Sequence, residues 1–162
     1  MTVVENPLYK DLVKQFGDAL HDAAFITEKP KQIISVSPKL DLALGGGVPE
    51  GSLFIMTGPE KIGKTVTALS FCANAQSQER FVYYGNIEGR LKKRDLEGIR
   101  ELQLGPEQFQ MVGSSEGNIL SGEDYLGIFD KVVHGHPKSV AVVDSFSALA
   151  AEAELAGELK DI

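Results

Sequence analysis

The chain sets Gly58-Pro59-Glu60-Lys61-Ile62-Gly63-Lys64-Thr65 in the spacing G-x-x-x-x-G-K-[ST]. Phosphate binding demands these residue types at these intervals. The glycines let backbone N–H groups curl around phosphate oxygens. A helix starting directly after the loop adds the partial positive charge of its N-terminus. The Lys64 ammonium then reaches the β- and γ-phosphates, and the Thr65 hydroxyl binds Mg²⁺. Candidate nucleotide contacts run through Gly58, Pro59, Glu60, Lys61, Ile62, Gly63, Lys64, Thr65 and Val66. An ordinary strand-turn-helix corner is the competing reading.

Two carboxylates could complete such a site. Val140-Ala141-Val142-Val143-Asp144 is an apolar strand ending in an acid, at the carboxyl edge of a sheet where ligands bind. Asp144 would hold Mg²⁺ through water, and Ser145 adds a hydrogen-bonding group beside it. The competing role for Asp144 is to cap the next segment. Glu88 follows a second apolar run in Tyr84-Gly85-Asn86-Ile87-Glu88-Gly89. A carboxylate beside the phosphate-loop strand can position or deprotonate an attacking water. By spacing alone, a solvated loop glutamate is an equal alternative.

These groups need a scaffold, and the pattern supplies one. Leu53–Thr57 reads as a central parallel strand buried on both faces, leading into Gly58. Lys64–Gln78 reads as a helix, Phe81–Tyr84 as a strand and Arg94–Leu102 as a helix. Phe109–Val112 reads as a short strand. Glu123–Val133 is a helix with Tyr125, Ile128, Phe129 and Val132 on one side, and Ser139–Asp144 is a buried strand. Alternating strands and helices predict a doubly wound α/β sheet. Before it, residues 8–24 form an amphipathic helix with Leu8, Leu12, Val13, Phe16, Leu20 and Ala24 in one stripe. That helix is too short to stand alone, so its stripe must dock on its own domain or on a neighbouring subunit. The tail Ala148–Ala156 reads as helical.

Composition sets the outer limits. The 162 residues carry a net charge of −7 and 43% hydrophobic residues, which suits one globular domain. That acidity argues against nucleic acid covering the whole surface. No apolar run approaches the ~18 residues of a membrane helix, and no secretory signal is visible at the start. Cys72 is the single cysteine, so an intrachain disulfide is excluded. Its position suits a small buried apolar residue. His134 and His136 lack a third ligand, and a surface loop is the better reading.

The assembled motifs resemble the RecA/RadA recombinase family. Ser37 to Gly51 is similar to its "S-x-x-LD-x-ALGGG-x-P-x-G" entry, and Gly58 to Thr65 to its "GPE-x-x-GKT" loop. Asn86-Ile87-Glu88-Gly89 resembles "D-T-E-G", Val142-Val143-Asp144-Ser145 with Ala148-Leu149 resembles "VVDS-x-x-AL", and residues 153–158 resemble "AE-x-x-GE". Ala24 to Lys29 looks closest to the phage UvsX branch. The resemblance implies a RecA-type P-loop ATPase core over residues 36–162, mainly parallel sheet flanked by helices and incomplete at its C-terminal side. Residues 1–35 would be an N-terminal helix and linker that docks on the adjacent protomer.

It also implies ATP and Mg²⁺ as cofactors, Glu88 as general base with Lys64 as the second catalytic group, and Thr65 and Asp144 on the metal side. The implied activity is that of a DNA-dependent ATPase and strand-exchange protein forming helical filaments on single-stranded DNA. Its DNA-binding loops would lie after Ile162, in a longer protein. Its place would be the bacterial cytoplasm or that of a phage-infected host, with no membrane partner. Two departures stand out. Asn86 replaces an acidic residue, and Arg90, Lys92, Lys93 and Arg94 form a basic stretch where relatives approach the adenine. Arg94 or Lys92 is the candidate base contact there, against a solvated basic helix start. A hexameric helicase or clock-type ATPase shares part of the motif set, and a non-enzymatic module that modulates a filament is the third reading.

Overall fold

The computed structural model describes residues 7–17, 31–151, 154, 155 and 157. The chain divides into two compact units, Met1–Gln32 and Ile33–Ile162. In the first, α1 (Pro7–Phe16) exposes Leu8, Val13 and Phe16. Leu20 and Ala24, the rest of the expected stripe, lie outside the described residues.

The second unit opens with β1 (Ile33–Ile34), α2 (Pro38–Leu44) and β2 (Val48–Pro49). β1 and β2 pair antiparallel, Ile34 opposite Val48. Ser37 caps α2 through its hydroxyl, which accepts from the Leu40 N–H, and Pro38 sits in the first turn. The Asp41 carboxylate turns back to accept from the Ser35 hydroxyl at 2.5 Å and the Val36 N–H at 2.8 Å. The Ser35 bond, then the Val36 N–H, holds the Asp41 carboxyl below the usual carboxylate range. A depressed folded-state value stabilises the fold above about pH 4 and ceases to do so as pH falls through it. Asp41→Asn is therefore expected to flatten the acid limb of a pH-dependent melting curve.

α3 (Lys64–Gln76) follows the phosphate loop, and β3 (Phe81–Asn86) follows α3. Ala68, Leu69, Cys72 and Ala73 recur at helical spacing on α3 and are buried. Of these, Ala68, Leu69 and Cys72 pack with Val82 and Tyr84 of β3 and Phe109 of β4 (Phe109–Val112). Leu69 is 0% exposed. Leu69→Ala should cost about 2–5 kcal/mol by chemical denaturation, because deleting a buried leucine leaves a cavity. Cys72 lies in the same cluster, and burial pushes its thiol up to about 12. It behaves as a small core residue. Gln76 is buried at the end of α3, yet its amide donates to the Gln103 and Gln108 carbonyls and accepts from the Gln103 N–H. Burial of that amide is thus offset by hydrogen bonds.

α4 (Lys93–Glu97) is only five residues, with turns rather than helix up to Glu101. The helix expected over Arg94–Leu102 is cut short by Gly98 and a left-handed Glu101. α5 (Gly122–Gly135) starts in a capping box: Asp124 N–H to Ser121 Oγ at 3.1 Å, and Ser121 N–H to Asp124 Oδ2 at 2.9 Å. Its Tyr125 and Phe129 are buried and Ile128 and Val132 half-buried, as the periodicity predicts. His134 lies in the last turn of this helix and His136 caps it, so neither belongs to a loop proper. His136 Nδ1 meets the Tyr83 hydroxyl at 3.0 Å, and no metal-ligating cluster forms among the described residues.

The main sheet has three parallel strands in the order β4-β3-β5, with β5 over Ser139–Asp144. Tyr84 lies opposite Val142 and Asn86 opposite Asp144. Two expectations fail here. Leu53–Thr57 is not a sheet strand but an extended segment, with Leu53 87% and Ile55 71% exposed. Phe54 and Met56 are half-buried, and Met56 packs on the α3–β3 core. A parallel strand exists only through its ladder, and no described strand lies in register with this segment. β5 also proves half-buried rather than fully buried, because it stands at an edge of the sheet. In the tail, Phe146–Ala148 forms one 3₁₀ turn, and Glu154, Leu155 and Gly157 are helical. No described helix is long and apolar enough to cross a membrane.

Candidate nucleotide site

The loop Gly58–Gly63 joins the extended segment to α3. Gly58 has φ 153°, and a Cβ there would meet the Ile62 side chain at 2.5 Å. Gly63 caps α3 with φ 94° and contributes no side-chain cap. Both positions therefore require glycine. The absence of a capping side chain leaves the helix start open to an anion, which is the arrangement that binds phosphate. Lys64 Nζ donates to the Gly58 and Pro59 carbonyls, each at 2.7 Å, and so curls over its own loop. Lys61, Ile62 and Val66 are exposed around it.

The sheet brings the acidic residues to this loop. Thr65 Oγ1 donates to Asp144 Oδ2 at 2.9 Å, across 79 residues of sequence. Tyr84 donates from its hydroxyl to the same Oδ2 at 2.7 Å. Ser145 then donates to Glu88 Oε1 at 2.9 Å and shares a hydrogen bond with Ser147 Oγ at 2.9 Å. The Ile87 N–H donates to the Asp144 carbonyl, which fastens the end of β3 to the end of β5. Thr65, Asp144, Ser145 and Glu88 thus form one connected set at the carboxyl edge of the sheet. Arg90 pairs with Glu88 Oε2 at 3.4 Å while 76% exposed. An ion pair that open to water contributes little to stability and exchanges freely.

Arg94 takes no part in this set. Its side chain is 80% exposed on α4 and pairs with Asp95 at 3.8 Å. Among the described residues no hydrogen bond or ion pair joins it to the phosphate loop. Asp95 accepts from the Lys92 N–H at 2.9 Å, which makes the basic stretch a helix start. Sequence reasoning missed Tyr84. Its signal was faint: it alternates with Asn86 along β3, and only the β3–β5 register carries that face to Asp144.

The oxygen donors Thr65 and Asp144 are the hard ligands magnesium takes, and the glycine-permitted loop with Lys64 suits a polyphosphate. The residues present fit both groups.

A family model described as the RecA N-terminal domain matches residues 6–162. The chain is 34% identical to Protein RecA of Bifidobacterium longum, covering 91% of the chain and 36% of that protein. It is 34% identical to Protein RecA of Thermus thermophilus, over 98% of the chain and 45% of the relative. It is also 35% identical to the mitochondrial DNA repair protein recA homolog of Dictyostelium discoideum, over 98% of the chain and 34% of the relative. The chain therefore spans less than half the length of these relatives. With the family model covering nearly all of it, and the phosphate loop, the Asp144 strand end and Glu88 gathered at one sheet edge, the chain belongs to the RecA family through its N-terminal domain.

Proposed function

We propose that the protein is an ATP-dependent recombinase that forms helical filaments on single-stranded DNA and exchanges strands in recombination and repair. The observation that carries this reading is the Thr65–Asp144 hydrogen bond, which joins a phosphate loop to the acidic strand end in a RecA-family chain. Residues Gly58–Val66 hold the triphosphate, and Lys64 balances charge on its β- and γ-phosphates. Thr65 and Asp144 are the magnesium-side residues, Asp144 through water. Bound magnesium supplies charge neutralisation on the transferred phosphoryl group.

The chain's own residues do the rest. Glu88 orients the attacking water and takes its proton on one carboxylate oxygen, while the Ser145 hydroxyl anchors the other. Arg90 exchanges with solvent and leaves that oxygen open. Arg94 is the proposed adenine contact. Residues 1–35 act as the docking arm between protomers, with Val13 and Phe16 exposed on α1. The cytoplasm is the proposed site of action.

Electron microscopy of the protein with single-stranded DNA and a non-hydrolysable ATP analogue tests the reading. Open helical filaments are expected. Closed rings would turn the reading toward a hexameric motor, and DNA-independent nucleotide binding without any assembly toward a modulating module.

A further inference from the structure

We propose that Tyr84 is a positioning residue for Asp144, its buried hydroxyl clamping Oδ2 so that the carboxylate meets the metal side of the phosphate loop in one orientation. This rests on the reading of Asp144 as the magnesium-side carboxylate.

Tyr84 is 0% exposed, packed with Leu69 and Cys72 and stacked on Phe109 with ring centroids 6.0 Å apart. Held this way, the ring has no room to swing. A buried phenol needs a hydrogen-bond partner. Tyr84 finds it 2.7 Å away in Asp144 Oδ2, the oxygen that also accepts from Thr65 Oγ1 at 2.9 Å. The reach follows from register. Tyr84 lies opposite Val142, so Asp144 is the diagonal neighbour two residues on and on the same face. An aromatic side chain spans that diagonal.

Two donors on one oxygen fix the carboxylate plane, and Oδ1 takes part in neither bond. The donors differ in kind. Thr65 sits on the phosphate loop, where nucleotide contacts compete for its oxygen. Tyr84 sits in the core of the sheet, closed off from solvent. Tyr84 therefore keeps Asp144 aimed whether or not Thr65 is engaged elsewhere.

The test uses the whole chain, Tyr84→Phe and Asp144→Asn, with a fluorescent ATP analogue titrated in Mg²⁺ and in EDTA, and a melting curve for each protein. Tyr84→Phe keeps the ring and removes only the hydroxyl. It is expected to reduce the Mg²⁺-dependent gain in affinity about tenfold, with the EDTA affinity unchanged. A full gain in Tyr84→Phe beside a lost gain in Asp144→Asn overturns the proposal alone. An equal loss in Mg²⁺ and EDTA, or a Tyr84→Phe protein that does not fold, makes the hydroxyl a structural group and overturns it too. A full gain in Asp144→Asn overturns the reading of Asp144 itself, and the proposal with it.

Discussion

Lys64→Ala should lower affinity for Mg²⁺–ATP about 10²–10³-fold and leave the fold intact. The size follows from what the ammonium does. In its proposed role it is a point charge directed at two phosphates inside a loop of backbone dipoles, and removing one such preorganised group costs about 10²–10³. The fold should survive because Lys64 is the first residue of α3, and among the described residues its ammonium hydrogen-bonds the carbonyls of its own loop, Gly58 and Pro59. Those carbonyls stay open to water after the change. A titration with fluorescent ATP analogue and a far-UV spectrum check both halves. Unchanged affinity would remove the loop from its role. Lys64→Arg is not a safe substitute, because a guanidinium is a broad planar fork where the loop accommodates a compact ammonium.

Glu88→Gln is expected to separate binding from turnover. The amide keeps an oxygen to accept from Ser145 and nearly the same volume, so nucleotide affinity should stay within about twofold of the parent. The carboxylate's capacity to take a proton from water is gone, and general-base loss costs about 10²–10⁴ in rate. Phosphate release measured with saturating ATP and single-stranded DNA gives the second quantity. Parent-like turnover would show Glu88 to be the solvated loop residue that spacing alone equally allowed. Ser145→Ala is the companion change. It frees Glu88 Oε1 and should lower turnover by less than Glu88→Gln does.

How much of this was legible beforehand varies with the range of the interaction. The local shape of Gly58–Thr65 was legible, because the positive φ of Gly58 and Gly63 and the helix start at Lys64 are set within one short stretch of backbone. α3, α5, β4 and the bounds of β5 were legible for the same reason, since periodicity and caps are local. The extended segment Leu53–Thr57 was misjudged. A continuous apolar run records a tendency to be buried, while pairing depends on a partner strand that no described residue supplies. α4 was overextended because Gly98 and Glu101 end it against its helical pattern.

The sequence by itself determined the chemistry on offer: a phosphate loop, an acid at a strand end, a second acid after another strand, and the RecA-family motifs that contain them. Only the tertiary structure decided which of these meet. The parallel register of β3 and β5 sets Asn86 beside Asp144 and carries the Tyr84 hydroxyl to the Asp144 carboxylate. The same register closes the chain of contacts from Thr65 through Asp144 and Ser145 to Glu88. Register is a property of two strands and not of either alone. A one-residue slip would turn Tyr84 away from Asp144 without altering a letter of the sequence.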